Sequence, residues 1–219
     1  MAAIKDPRAL KPLIALFRGN NSYDSKVAAD ALNEMGWQFE NVEDKITYYC
    51  SKQLTYYSDW DEVIKLNYDA AAKALILSLR YQNQPNPFNA WETKELVKIG
   101  TPAVAPLITE LKNNKPEIRM YAVWTLGEIG AVEAIDPLIE LLSDRGEITW
   151  REDNDKFGSS GITVHIINAL NKILSSRSIH PNVFKKIEEK LEEIKNQSDD
   201  KEHYDYVKKG LSKFLQISA

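Results

Sequence analysis

The chain has 219 residues, enough for one sizeable domain or a short repeat array. Its 43% hydrophobic residues suffice for a core, while a formal net charge of -4 argues against a nucleic-acid binder, whose footprint is a basic patch. One cysteine, Cys50, excludes an internal disulfide framework, and no stretch approaches the roughly 18 apolar residues of a membrane span. With no apolar signal core near the N-terminus, these features point to a soluble cytoplasmic protein.

Two helices open the chain, predicted over about 7–18 and 23–35. The first contains Pro12-Leu13-Ile14-Ala15-Leu16, and the second ends in Ala31-Leu32-Asn33-Glu34-Met35-Gly36. Ser22, Asp24 and Ser25 compete to cap the second helix. Both phrases return. Pro106-Leu107-Ile108 and Pro137-Leu138-Ile139 stand 31 residues apart, and Pro12 precedes Pro106 by 94, three steps of about that size. Ala74-Leu75-Ile76-Leu77 is a degenerate copy, and Val42-Glu43-Asp44-Lys45-Ile46 a poorer one. The second phrase recurs as Glu95-Leu96-Val97-Lys98-Ile99-Gly100 and Thr125-Leu126-Gly127-Glu128-Ile129-Gly130. Val63-Ile64-Lys65-Leu66-Asn67 carries Asn where the others carry Gly, and both residues tolerate the left-handed conformation that ends helices.

Each unit therefore reads as two helices, A and B, with apolar residues three and four apart. A proline near the start of A suits a helix's first turn, where its missing N–H costs nothing. Later units follow at about 42–66, 69–99, 102–130 and 134–175, and an amphipathic helix pair at about 181–217 reads as a cap. A single helix pair cannot bury its apolar face, whereas stacked pairs can. The expected fold is one all-α domain over 1–219, a right-handed α-solenoid of antiparallel helix pairs with about five units over 4–175. Insertions interrupt it at 50–60, 80–91 and 143–161, and such insertions map to loops on one face, often a binding face.

Asp6-Pro7-Arg8-Ala9-Leu10-Lys11-Pro12-Leu13-Ile14 and Glu117-Ile118-Arg119-Met120-Tyr121-Ala122-Val123-Trp124 resemble HEAT repeats. More narrowly, they resemble the short prokaryotic HEAT-like repeats also found in phycobilin lyases. The resemblance spans roughly 4–174 with gaps and implies fold rather than function. On the family pattern, B helices line the groove of such a solenoid. That makes Trp124, Arg119, Asn168 and Asn171 candidate partner-binding residues, with Asp30, Asn33 and Glu34 in the first unit. For Arg119 the resemblance equally implies a structural bond to the neighbouring repeat.

Catalytic constellations are scarce. The three histidines, His165, His180 and His203, and the lone cysteine make no zinc site, and no Gly-rich phosphate loop is present. No cofactor or metal is expected. Cys50 reads as a small buried hydrophobe, and His165 as a core or groove residue. Aromatic residues are enriched at binding hot spots. Tyr57, Tyr81, Phe88 and Trp150 fall in the insertions and are expected to be exposed, whereas Tyr48, Tyr49 and Trp60 are expected to pack inside.

The leading expectation is a non-catalytic scaffold or adaptor that binds another protein. A phycobilin lyase-like or tetrapyrrole chaperone subunit is the alternative implied by the resemblance, and a nucleic-acid reader fits the charge poorly. Self-association through the N-terminal repeat is a further expectation, because an apolar repeat face left uncovered invites a partner.

Overall fold

The computed structural model describes residues 6–19, 22–52, 60–79, 90–151, 157–175, 181–197 and 201–215. Helices dominate, as expected of an all-α, HEAT-like helical solenoid. The chain divides into two compact units, Met1–Asn83 and Gln84–Ala219.

The N-terminal unit opens with a short 3-10 turn, Pro7–Ala9, which Asp6 caps by accepting the Arg8 N–H at 2.9 Å. Five helices follow: α1 (Leu10–Phe17), α2 (Ser22–Glu34), α3 (Val42–Lys52), α4 (Trp60–Leu66) and α5 (Tyr68–Leu79). Asp24 and Ser25 thus lie inside α2 rather than before it. Asn67 stands just past the end of α4, as expected, and also caps the next helix: its Oδ1 accepts the Ala70 N–H at 3.0 Å. Helix α1 packs on α2, α2 on α3, and α3 on both α4 and α5.

A chain of rings runs through this unit. Phe17 meets Trp37 at 5.6 Å between centroids, Trp37 meets Phe39 at 5.7 Å, and Phe39 meets Tyr48 at 5.2 Å. Tyr48, Tyr49 and Trp60 continue it at 6.2 Å steps. Edge-on and tilted rings at such distances are favoured by the aromatic quadrupole. Tyr49 and Trp60 are buried and Tyr48 is half-buried, in line with their expected packing role, and Cys50 is buried beside them in α3.

The C-terminal unit contains α6 (Trp91–Ile99), α7 (Thr101–Glu110), α8 (Pro116–Ile129), α9 (Ile135–Glu140), α10 (Ile162–Ser175), α11 (Asn182–Gln197) and α12 (Lys201–Leu215). Gly100 and Gly130 stand at the ends of α6 and α8 with φ of 73° and 72°, a region that L side chains disfavour. Prolines start α7 and α8 in their first turns. Pro106, however, stands inside α7 rather than at its start, because the helix already begins at Thr101.

Helix α7 pairs with α8, α9 with α10, and α11 with α12. The B helices α6, α8, α10 and α12 pack successively on one another, and α11 packs on α9. This is the two-layer stacking of a helical repeat, and it gives the C-terminal pair its place against the preceding pair. Lys190 of α11, 7% exposed, ties the A layer by reaching Glu140 of α9 at 3.2 Å.

The insertion after α9 is not a bare loop. It forms a β-hairpin, β1 (Glu147–Arg151) and β2 (Phe157–Gly161), paired antiparallel from Glu147↔Gly161 to Arg151↔Phe157. Its root is held by Asp144. The carboxylate of Asp144 accepts the Gly146 N–H at 2.8 Å, and its carbonyl accepts the Thr163 hydroxyl at 2.7 Å.

Candidate functional site: a groove on the B helices

Helices α8 and α10 approach closely because the residue at their crossing has no side chain. A Cβ at Gly127 would lie 2.9 Å from both Cα and Cβ of Ala169, closer than packed atoms sit. Side chains on either side of this crossing then become walls. Residues three, four and seven apart share one face of a helix. On α10 that spacing brings His165, Asn168 and Lys172 to the same side, and on α8 it brings Trp124, Gly127 and Glu128.

Together they line a groove of about 200 Å³. Trp124 is half-buried, Asn168 exposed and His165 buried. Lys172 bridges to Glu128 across the groove, a charged pair near solvent. Burial holds the His165 imidazole below its ordinary range, so the ring is neutral at pH 7. The groove thus combines an aromatic face, an amide with both donor and acceptor capacity, a neutral imidazole and one compensated ion pair. That is a surface for shape and hydrogen bonding, with no net charge of its own.

The sequence-expected residues divide. Trp124 and Asn168 come together in the groove. Arg119 and Asn171 do not line it. The Arg119 guanidinium grips Asp144 through Nε at 2.5 Å and Nη2 at 2.9 Å, and its Nη1 donates to the carbonyl of Asn113 at 2.8 Å. It joins α8 to the root of the hairpin, which is the structural role weighed for it. Asn171 donates through Nδ2 to the carbonyl of Gly210 at 3.1 Å, so it fastens α10 to α12. There too a missing side chain sets the spacing, since a Cβ at Gly210 would meet Ile167 Cγ2 at 2.7 Å.

Tyr57, Tyr81 and Phe88 lie outside the described residues. Trp150 belongs to β1, but its side chain lies outside them as well. In the N-terminal unit Asp30, Asn33 and Glu34 are exposed on α2.

Sequence reasoning missed Glu128 and Lys172. Their pairing spans 44 positions, and no local signal marks it; only the register of α8 against α10 does. Gly127 carried a signal of another kind, a glycine within a strongly apolar helix, where a packing reason is the usual explanation.

Deep between α6 and α8, Tyr121 is 2% exposed. Burial first, then the carboxylates of Glu92 and Glu117, push its phenol up to about 12, so it stays protonated. Among the described residues no group of three or more His, Cys, Asp or Glu is placed to hold a metal ion. Among them, too, no helix is long and apolar enough to cross a membrane.

A comparison with curated proteins finds no match. Residues 70–151, from within α5 to the end of β1, match the family model described as HEAT repeats. That match is to HEAT repeats in general and does not single out the phycobilin-lyase type. Matching repeats, paired helices and stacked B helices agree, and residues 70–151 are HEAT repeats.

Proposed function

We propose that this protein is a non-catalytic scaffold that binds another protein along its B helices, with the α8–α10 groove as the primary contact. The family assignment supports a protein-interaction role, as HEAT repeats generally serve one. The observation that carries the finer reading is the convergence of Trp124, His165 and Asn168 in one groove. A half-buried tryptophan beside a versatile amide is the composition of a binding hot spot. Tyr57, Tyr81, Phe88 and Trp150, in the insertions, are further candidate partner contacts, while Arg119 and Asn171 hold the frame of the groove. No cofactor takes part.

A photocrosslinking amino acid placed at Asn168 tests this. A second one at Glu188, exposed on α11 and outside the groove, is the control. The expected result is one protein adduct from position 168, none from 188, and loss of the adduct on Trp124→Ala with the far-UV spectrum unchanged. Equal adducts from both positions, or binding indifferent to Trp124→Ala, would remove the groove from the function.

A further inference from the structure

The hairpin between α9 and α10 carries a surface that the groove does not account for. Isolated two-stranded hairpins are marginal in water and gain stability when further strands join. Here β1 pairs with β2 alone among the described residues. Which backbone groups β1 leaves unpaired follows from one bond. The Ile162 N–H donates to the Gly146 carbonyl at 2.9 Å, so the pair just beyond the ladder is hydrogen-bonded. In an antiparallel ladder hydrogen-bonded and non-bonded pairs alternate. Ile148 and Trp150 therefore bond to β2, whereas Glu147, Thr149 and Arg151 turn their N–H and C=O groups away from it.

Nothing in the backbone of β1 interrupts that outer edge. Natural edge strands are blunted by proline, lysine or a bulge. β1 has no proline and no lysine, and its register with β2 is unbroken over five residues. Its sequence, Glu147-Ile148-Thr149-Trp150-Arg151, is also complementary to itself when reversed about Thr149. Antiparallel pairing of two such strands sets Glu147 opposite Arg151, Ile148 opposite Trp150, and Thr149 opposite Thr149. Opposite charges, an aromatic with a β-branched residue, and paired threonines are the cross-strand combinations that stabilise sheets. All of them fall in register at once, and the outward N–H and C=O groups of Glu147, Thr149 and Arg151 meet their counterparts. The other strand, Phe157-Gly158-Ser159-Ser160-Gly161, has no such symmetry, and its glycines weaken it as an edge.

We infer that β1 is a self-recognition edge, which pairs antiparallel about Thr149 with β1 of a second copy of this chain and joins two hairpins into one four-stranded sheet. A twofold axis through Thr149 makes the contact isologous, so it closes at two copies and does not propagate.

Sedimentation equilibrium of the full chain over a wide concentration range tests the pairing. The wild type is expected to show a monomer–dimer equilibrium. Glu147→Arg and Arg151→Glu each replace both charge pairs by like-charge contacts, and each is expected to weaken the dimer about tenfold or more. Mixing these two variants restores both pairs, and the mixed dimer should form as readily as the wild type. Thr149→Pro removes an outward N–H without touching the β1–β2 ladder and is expected to abolish the dimer, with the far-UV spectrum as the check on folding. A wild type that stays monomeric at hundreds of micromolar would overturn the inference. So would a dimer indifferent to the charge reversals, or single variants that fail to recover on mixing.

Discussion

The two compact units follow one helix-pair plan but close their cores by opposite means. In the N-terminal unit the contacts between helices are filled by rings, from Phe17 through Trp37, Phe39, Tyr48 and Tyr49 to Trp60. In the C-terminal unit the decisive contacts are absences, Gly127 under Ala169 and Gly210 under Ile167, which let helices meet nearly backbone to side chain. Large rings keep helices apart and tolerate loose register, whereas glycine contacts demand exact register. The groove of Trp124, His165 and Asn168 belongs to the second kind, because its walls stand where the glycine contact puts them.

The 94-residue offset between the units sharpens this. Val27 of α2 corresponds to Tyr121 of α8, and Leu16 of α1 to Glu110 of α7. Tyr121 is 2% exposed and Glu110 4%, while Val27 is 48% and Leu16 42%. Helix α8 has α6 packed beside it. Among the described residues of the N-terminal unit, no helix takes that place beside α2. Equivalent positions thus differ in burial because of what stacks on them, not because of their own helix.

Phe17→Ala should break the ring-filled unit most severely. Phe17 is fully buried, and its loss is expected to cost about 4 kcal/mol, read from the guanidinium unfolding curve. A cost below about 1 kcal/mol would mean that the rings are not what holds that unit. Next comes Gly127→Val, expected to cost about 3 kcal/mol through overpacking against Ala169 and to weaken crosslinking at Asn168 in parallel. If the variant is as stable as the wild type, the close crossing of α8 and α10 is not a constraint.

Arg119→Ala should cost about 2 kcal/mol, because the Asp144 carboxylate, only 12% exposed, would lose its forked guanidinium partner. The parallel clamp of the N-terminal unit, Arg18 on Asp44 and Glu40, has a more open arginine, 40% exposed, but a more enclosed carboxylate, with Asp44 only 2% exposed. Arg18→Ala should therefore cost at least as much, and a clearly smaller loss would mean that burial of the remaining carboxylate does not set the cost. Arg119→Lys should recover only part of the loss, as an ammonium cannot reproduce the forked contacts.

The smallest effects are in the pH profile. Tyr121 stays protonated up to about 12 in the fold but ionises near 10 once unfolded. Its contribution is therefore complete below pH 10 and drains away between 10 and 12, a limb that Tyr121→Phe should abolish. Phenolate absorbance during alkaline titration reports it directly. His165 acts at the other end. Its folded value lies below the unfolded one, so stability is full above about 6.5 and falls as the pH drops through the folded value. His165→Gln should flatten that slope.

Much of the helical frame was legible because it rests on local signals. Gly36, Gly100 and Gly130 mark helix ends by needing positive φ, and the Leu-Ile phrases mark buried faces. The strands were not legible. Phe157-Gly158-Ser159-Ser160-Gly161 has little strand propensity, and it pairs because β1 and the tied root at Asp144 hold it in place. Half of the groove was legible, since Trp124 and Asn168 lie on B-helix faces. The Glu128–Lys172 bridge was not, because it depends on how two distant helices register.

The root of the hairpin has a consequence for change over time. Arg119 grips Asp144, Asp144 holds Gly146 and receives Thr163, and Ile162 binds Gly146, so both ends of the insertion are fastened to each other and to α8. Chain beyond that knot closes a loop whose ends are already together. Doubling such a loop costs only about 0.6 kcal/mol. Position 147 onward is thus a socket: the stack beneath tolerates a different module there, and recognition can be exchanged without rebuilding the helices that carry it.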